Sequence, residues 1–228
     1  MASVKQNTTI KEYQNFVKEV YGLTNDRYFD TWDMLANVER FVMRGLKGIR
    51  KKDNEKIKNN LLISFSWLIS MMNQFCINIE DEIWKRFPYF CSYCGQCPCY
   101  CKERKIEKRQ KAAVQESKRP KTFEDFQNMF GKIYPSQNRT IEHSGIHLAE
   151  ELGEFAEAIL TFRGGHKEAD FDKIPLEAAD LFSCLIGVFN TLGVNVAKEL
   201  SIMFSNNCHV CKNAPCTCGF EYVVKFQS

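Results

Sequence analysis

Residues 147–160 read HLAEELGEFAEAIL, and residues 176–180 read LEAAD. Glu151 and Glu154 stand three residues apart, and Glu177 and Asp180 repeat that spacing. Residues i and i+3 share a helix face, so each pair aims two carboxylates the same way. Leu148, Ala149, Leu152, Phe155, Ala156, Ile159 and Leu160 fall at helical spacing between the acids, which sets the carboxylates beside a core-facing stripe. Two such helices packed antiparallel would converge four acids, with Glu150 close behind. Two carboxylates about 6 Å apart repel by roughly 3 kcal/mol at an effective dielectric of about 20. Such a site must bind cations or raise its pKa values. All-oxygen ligands suit Mg²⁺ or Mn²⁺, whereas a di-iron bundle would show Glu-x-x-His. A solvated acidic face is the alternative. Against it, Glu177 and Asp180 sit in the mostly apolar run 175–188.

At these residues the chain resembles the MazG-like all-α nucleoside triphosphate pyrophosphohydrolases, whose signature is EExxE, a spacer, then ExxD. Here it stands as Glu150-Glu151-Leu152-Gly153-Glu154 and Glu177-Ala178-Ala179-Asp180. Asn190-Thr191-Leu192-Gly193-Val194-Asn195 is similar to the family's Asn-x-Leu-Gly-Ile-Asp turn, and Asn206 falls where its Lys-Met-x-x-Asn element ends. The resemblance spans residues 122–207. It implies hydrolysis of a nucleoside or deoxynucleoside triphosphate to monophosphate and pyrophosphate. Glu151, Glu154, Glu177 and Asp180 would hold Mg²⁺ (or Mn²⁺), and Glu150 would orient or deprotonate the attacking water. His147, Arg163, His166, Asn190 and Asn206 are the candidate substrate contacts in this half. A nucleotide-sensing or interaction protein without turnover is the rival reading.

The chain of 228 residues is 44% hydrophobic and 26% charged, with a net charge of +3. That is ordinary for a globular protein of one or two domains, and the charge does not argue for a nucleic-acid partner. The first nine residues lack a signal peptide's apolar core. The most apolar run, 61–72, is too short to span a bilayer. Nine of the 11 cysteines sit in two clusters, which favours metal ligation in a reducing cytoplasm over a disulfide scaffold.

Laid on itself, the chain repeats. Thr9, Gln14, Asn15 and Tyr21 match Thr122, Gln127, Asn128 and Tyr134. Asn73, Asn78 and Phe87 match Asn190, Asn195 and Phe204. Each copy ends in C-x2-C-x4-C-x-C: Cys91, Cys94, Cys99 and Cys101, then Cys208, Cys211, Cys216 and Cys218. Four thiolates are the closed set of a structural Zn²⁺ site. Cys97 and His209 stand by as substitute ligands, and an iron–sulfur cluster is the alternative. Cys76 and Cys184 read as core residues.

The expected architecture is all-α: two tandem MazG-like four-helix units forming an intramolecular pseudo-dimer, each followed by a small four-cysteine zinc knuckle. The divisions fall at 1–101 (knuckle 91–101), a basic solvated linker at 102–121, and 122–228 (knuckle 208–218). In the first copy helices are expected over 10–21, 31–49, 54–76 and 79–87, with Asp30 an N-cap. That copy has lost the acids: Asn37, Val38 and Phe41 replace Glu150, Glu151 and Glu154, while Asn60 and Ile63 replace Glu177 and Asp180. It has kept a cation, because Lys85, followed by Arg86, aligns with Ile202 of the second copy. Lys85, together with Arg86, is therefore expected to reach the phosphates bound at the acids, the alternative being two solvated charges at a helix end.

Overall fold

The computed structural model describes residues 2–104, 106–110 and 112–219, and among them no strand occurs. In the first copy α1 runs over Ile10–Tyr28, α2 over Thr31–Lys51, α3 over Asn54–Gln74 and α4 over Ile79–Arg86. In the second, α5 covers Phe123–Ile133, α6 Ile141–Gly165, the short α7 Glu168–Phe171, α8 Lys173–Leu192 and α9 Val196–Met203. Capping sets the starts. Thr9 with Glu12, Asp30 with Asp33 and Thr122 with Asp125 each form a reciprocal box that satisfies two orphan backbone donors.

In the first copy α1 continues seven residues past its expected end at Tyr21, and α2 two residues past 49. α6 runs through Arg163 to Gly165, which sets Arg163 on a helix. His166 caps that helix in the left-handed conformation. α3 stops at Gln74, which leaves Cys76 exposed with φ 57°, not in the core. Cys184 is half-buried on α8.

The described residues form two compact units that cut across the sequence repeats. The first contains residues 2–78 with 196–219, and the second contains 79–195. The break is not at the linker. Each copy keeps its first three long helices and gives its last helix and knuckle to the unit built on the other copy's helices.

In the first unit, α2 and α3 form a hairpin whose close approach rests on two glycines. A Cβ on Gly45 would meet Leu61 Cδ2 at 2.5 Å, and one on Gly48 would meet the Ile57 backbone nitrogen at 2.9 Å. Tyr13, Val38, Phe65 and Leu68 are fully buried there, and Phe204, just beyond α9, joins them. In the second unit, α6 and α8 pair, and α4 lies against α8. Phe126, Phe155, Leu181, Phe182 and Phe189 form that core, with Trp84 of α4 buried as well.

Residues 168–192 are apolar and long enough to cross a membrane by composition, but 61% of the apolar window is buried inside the fold. It is built as a core helix. The linker is more than a solvated tether. Its distal end forms a turn at Glu116–Lys118, Glu116 accepts a hydrogen bond from Trp84 Nε1 at 2.9 Å, and Arg119 bridges Glu80 and Asp81. These contacts tie down both turns of α4.

Candidate functional site

α6 and α8 bring Glu151, Glu177 and Asp180 together, with one carboxylate oxygen of each within 4.8 Å of the others. Asp180 is buried at 6% exposure, while Glu151 and Glu177 are half-buried. Glu151 Oε2 and Glu177 Oε2 are shielded from solvent yet have no hydrogen-bond partner. Such orphaned oxygens are costly unless a cation or proton meets them. Burial, then the charges of Asp180, Glu154 and Glu177, pushes the Glu151 carboxyl up to about 8. Burial, then Asp180 and Glu154, raises Glu177 as well. Glu154 is exposed, at the rim, and its field reaches both neighbours.

The side chain of α4 that pairs with the cluster is Arg86 rather than Lys85. Arg86 Nε donates to Asp180 Oδ1 at 3.0 Å and Nη2 to Oδ2, a two-pronged pair with 11% and 9% side-chain exposure. Burial opposes the guanidinium charge, but Asp180, Glu177 and Glu151 outweigh it and raise the Arg86 pKa. Lys85 points the other way. It is 65% exposed and pairs with Glu82 at 2.8 Å. Adjacent helical positions lie about 100° apart, so a shift of one residue decides which side chain enters the cluster.

The other sequence candidates scatter. Glu150 is exposed and meets His147 Nδ1 at 3.0 Å, one turn before the acids, where the His147 ring packs edge-on to His143. Arg163 is 12 residues beyond Glu151 on the same helix, about 18 Å along its axis. Asn190 is engaged elsewhere: Gln127 Nε2 donates to its Oδ1 at 2.9 Å and to the Val194 carbonyl at 2.8 Å. Gln14 makes the same two bonds to Asn73 and Ile77 in the first copy. This duplicated amide lock is structural, and its signal was the paired Gln and Asn positions in the repeat. Asn206 belongs to the first unit, with its Oδ1 buried and unpartnered.

The two cysteine clusters are assembled as the spacing predicts. In each, four sulfurs lie within 4.8 Å of one another. Cys91–Cys101 and Cys94–Cys99 are 3.8 and 3.9 Å apart, and Cys208–Cys218 and Cys211–Cys216 are both 3.8 Å apart. Four sulfurs about 2.3 Å from one tetrahedral ion stand about 3.8 Å apart, while a disulfide would bring them to about 2.05 Å. Each cluster can hold a zinc-like metal ion. Backbone N–H groups of Tyr93 and Cys101, and of Val210, Thr217 and Cys218, approach the sulfurs at 3.4 to 3.5 Å. Neither Cys97 nor His209 joins the set. His209 instead meets the Tyr21 hydroxyl at 3.3 Å and packs on Phe204.

No family model, curated protein or solved structure matches this chain.

The knuckles attach by equivalent contacts. Cys99 N donates to the Ile133 carbonyl at 2.8 Å, and Cys216 N to the Val20 carbonyl at 2.7 Å. Tyr134 lies beside Cys91, and Tyr21 beside Cys208. The Phe87 ring meets Tyr134 edge-on at 6.4 Å, as Phe204 meets Tyr21 at 6.5 Å.

Proposed function

We propose that the acid cluster is the active site of a Mg²⁺-dependent, MazG-like nucleoside triphosphate pyrophosphohydrolase, formed by the second copy and completed by α4 of the first. The two orphaned oxygens of Glu151 and Glu177 carry this reading, because they are donor atoms of the hard type that Mg²⁺ takes. Bound Mg²⁺ would neutralise phosphate charge and lower the pKa of a water that attacks the α-phosphorus. Glu151 gives up its proton as the site loads. Asp180 is held in a fixed orientation by Arg86 until then, and Glu154, at the rim, orients the water. Arg86 then has a second partner within its reach, the triphosphate itself, which a planar fork of donors suits. Glu150, held by His147, stands outside this set.

The same reading places one structural Zn²⁺ in each knuckle. Incubating the full chain with each NTP and dNTP plus Mg²⁺ and measuring pyrophosphate tests the function. Turnover of one or more nucleotides, lost in Glu177→Gln, is the expected result. Nucleotide bound without any turnover would replace the hydrolase with a sensor.

A further inference from the structure

The first unit contains a cavity of about 740 Å³, lined by the end of α1, by α2 and α3, and by the second knuckle. Pockets that seat a small molecule commonly measure about 300–1,000 Å³. Phe41 and Ile63 in its wall stand where Glu154 and Asp180 stand in the second copy. That exchange removes the charges that would call for a metal ion and leaves a mostly apolar wall. Phe29 and Trp67 meet in it edge-on at 5.3 Å, and Tyr28 stands 70% exposed at the rim.

Several polar groups of the wall are satisfied within the fold. Ser66 pairs with the Tyr13 hydroxyl at 2.8 Å, Thr24 donates to the Cys216 carbonyl at 2.7 Å, and Tyr21 meets His209 at 3.3 Å. Three others are not. The side chains of Asn25, 6% exposed, and Ser70, 5% exposed, make no hydrogen bond among the described residues, and neither does the indole N–H of Trp67. Buried amides and hydroxyls left without a partner are costly, and a buried Trp N–H usually finds one. Together the three offer what the edge of a heteroaromatic ring needs: donors and an acceptor from Asn25, a donor from Trp67, and a hydroxyl that does either. Arg27, also in the wall, is exposed and forms no ion pair among the described residues. The guanidiniums of Arg40 and Arg44 lie 5.4 and 5.6 Å from the centre of the Phe41 ring. Where the second copy gathers negative charge, the first gathers positive.

We propose that this cavity is a metal-independent binding site for a small heteroaromatic anion. A flat ring lies against Phe29 and Phe41, its edge is read by Asn25, Ser70 and the Trp67 N–H, and its negative group is held at the mouth by Arg27. A nucleoside monophosphate has both parts: a base whose face packs on aromatic side chains, and a phosphate that suits a planar fork of donors. Every residue named lies in the first unit. The inference therefore stands whether or not the acid cluster hydrolyses nucleotides.

Calorimetric titration of the full chain with AMP, GMP, CMP and UMP in buffer without Mg²⁺ tests it. Fluorine NMR of the chain carrying 5-fluorotryptophan locates the ligand, since Trp67 lines the cavity and Trp84 lies on α4 beside the acid cluster. At least one nucleotide is expected to bind and to shift the Trp67 signal while leaving Trp84 in place. Arg27→Ala, a surface change, should weaken that binding by about tenfold or more, and Trp67→Phe, which keeps a ring and loses the N–H, by about fivefold. Melting curves confirm that both variants fold. A cavity filled by water alone would bind none of the four at millimolar concentration, and that result overturns the proposal. So does binding that moves Trp84 alone or neither signal, or binding that both variants retain in full.

Discussion

Without the Arg86 guanidinium, Asp180 would be a carboxylate at 6% exposure facing Glu151 and Glu177 with its two hydrogen bonds gone. Breaking a buried pair from one side costs about 3–5 kcal/mol. Arg86→Ala should therefore lower the melting temperature sharply in chelator, and millimolar Mn²⁺ should restore most of the loss by supplying the missing charge. Lys85→Ala, which removes an exposed pair, should shift stability by less than about 1 kcal/mol. Thermal melts of both variants with and without Mn²⁺ check this. Failure of Mn²⁺ to rescue Arg86→Ala would mean the cluster does not take a cation. The Glu151 carboxyl sets a pH dependence as well. Its folded pKa of about 8 lies above its ordinary 4.5, so between those values the folded chain holds a proton that the unfolded chain has lost. Its contribution is neutral below about pH 4.5 and becomes increasingly destabilising as pH rises to about 8. Metal must displace that proton. Calorimetry across pH 6 to 8.5 should show Mn²⁺ affinity rising by up to about tenfold per pH unit, then levelling off above 8.

Helix starts were legible because local chemistry fixes them: Thr9, Asp30 and Thr122 each face an acidic residue three places on, and all three boxes form. The acid pairs were legible because i and i+3 must share a face. What no spacing rule reveals is which residue of Lys85-Arg86 enters the cluster, since that depends on how α4 rolls against α8. Its roll is fixed by Trp84, Glu116 and Arg119, and Glu116 and Arg119 lie in a stretch whose composition reads as a solvated linker. Two glycines separate helix propensity from packing. Gly153, on α6, has nothing within 4 Å of a would-be Cβ, so Gly153→Ala should stabilise by about 0.5–1 kcal/mol through propensity alone. Gly48→Ala meets the Ile57 backbone at 2.9 Å, where no rotamer gives relief. It should reverse the sign and cost about 1–3 kcal/mol. Urea denaturation of the pair measures the difference, and equal effects would mean that α2 and α3 do not cross as described.

The duplication itself was legible in register, since both cysteine clusters align, but the allegiance of each last helix was not. Residues 79–101 and 196–218 are similar enough in pattern that either could follow its own copy or the other. The outcome depends on tertiary contacts: Cys99 on Ile133, Cys216 on Val20, Phe87 on Tyr134 and Phe204 on Tyr21. An exchanged arrangement has a consequence that tandem units would not share. Elemental analysis should find about two zinc ions per chain, one per knuckle, and losing one ion should damage the unit built on the opposite copy's helices. Cys211→Ser, in the second knuckle, should raise amide exchange in α1, whose C-terminal half holds Val20 and Tyr21 against Cys216 and Cys208, while leaving α5 protected. Cys94→Ser, in the first knuckle, should do the reverse, loosening α5 and, through α4, withdrawing Arg86 from Asp180. It should therefore also lower the turnover proposed for the acid cluster, whereas Cys211→Ser should leave that turnover nearly intact. Hydrogen exchange on the two variants decides the matter: loosening confined to the helices of the mutated knuckle's own copy would restore independent tandem units and remove the first copy's helix from the acid cluster.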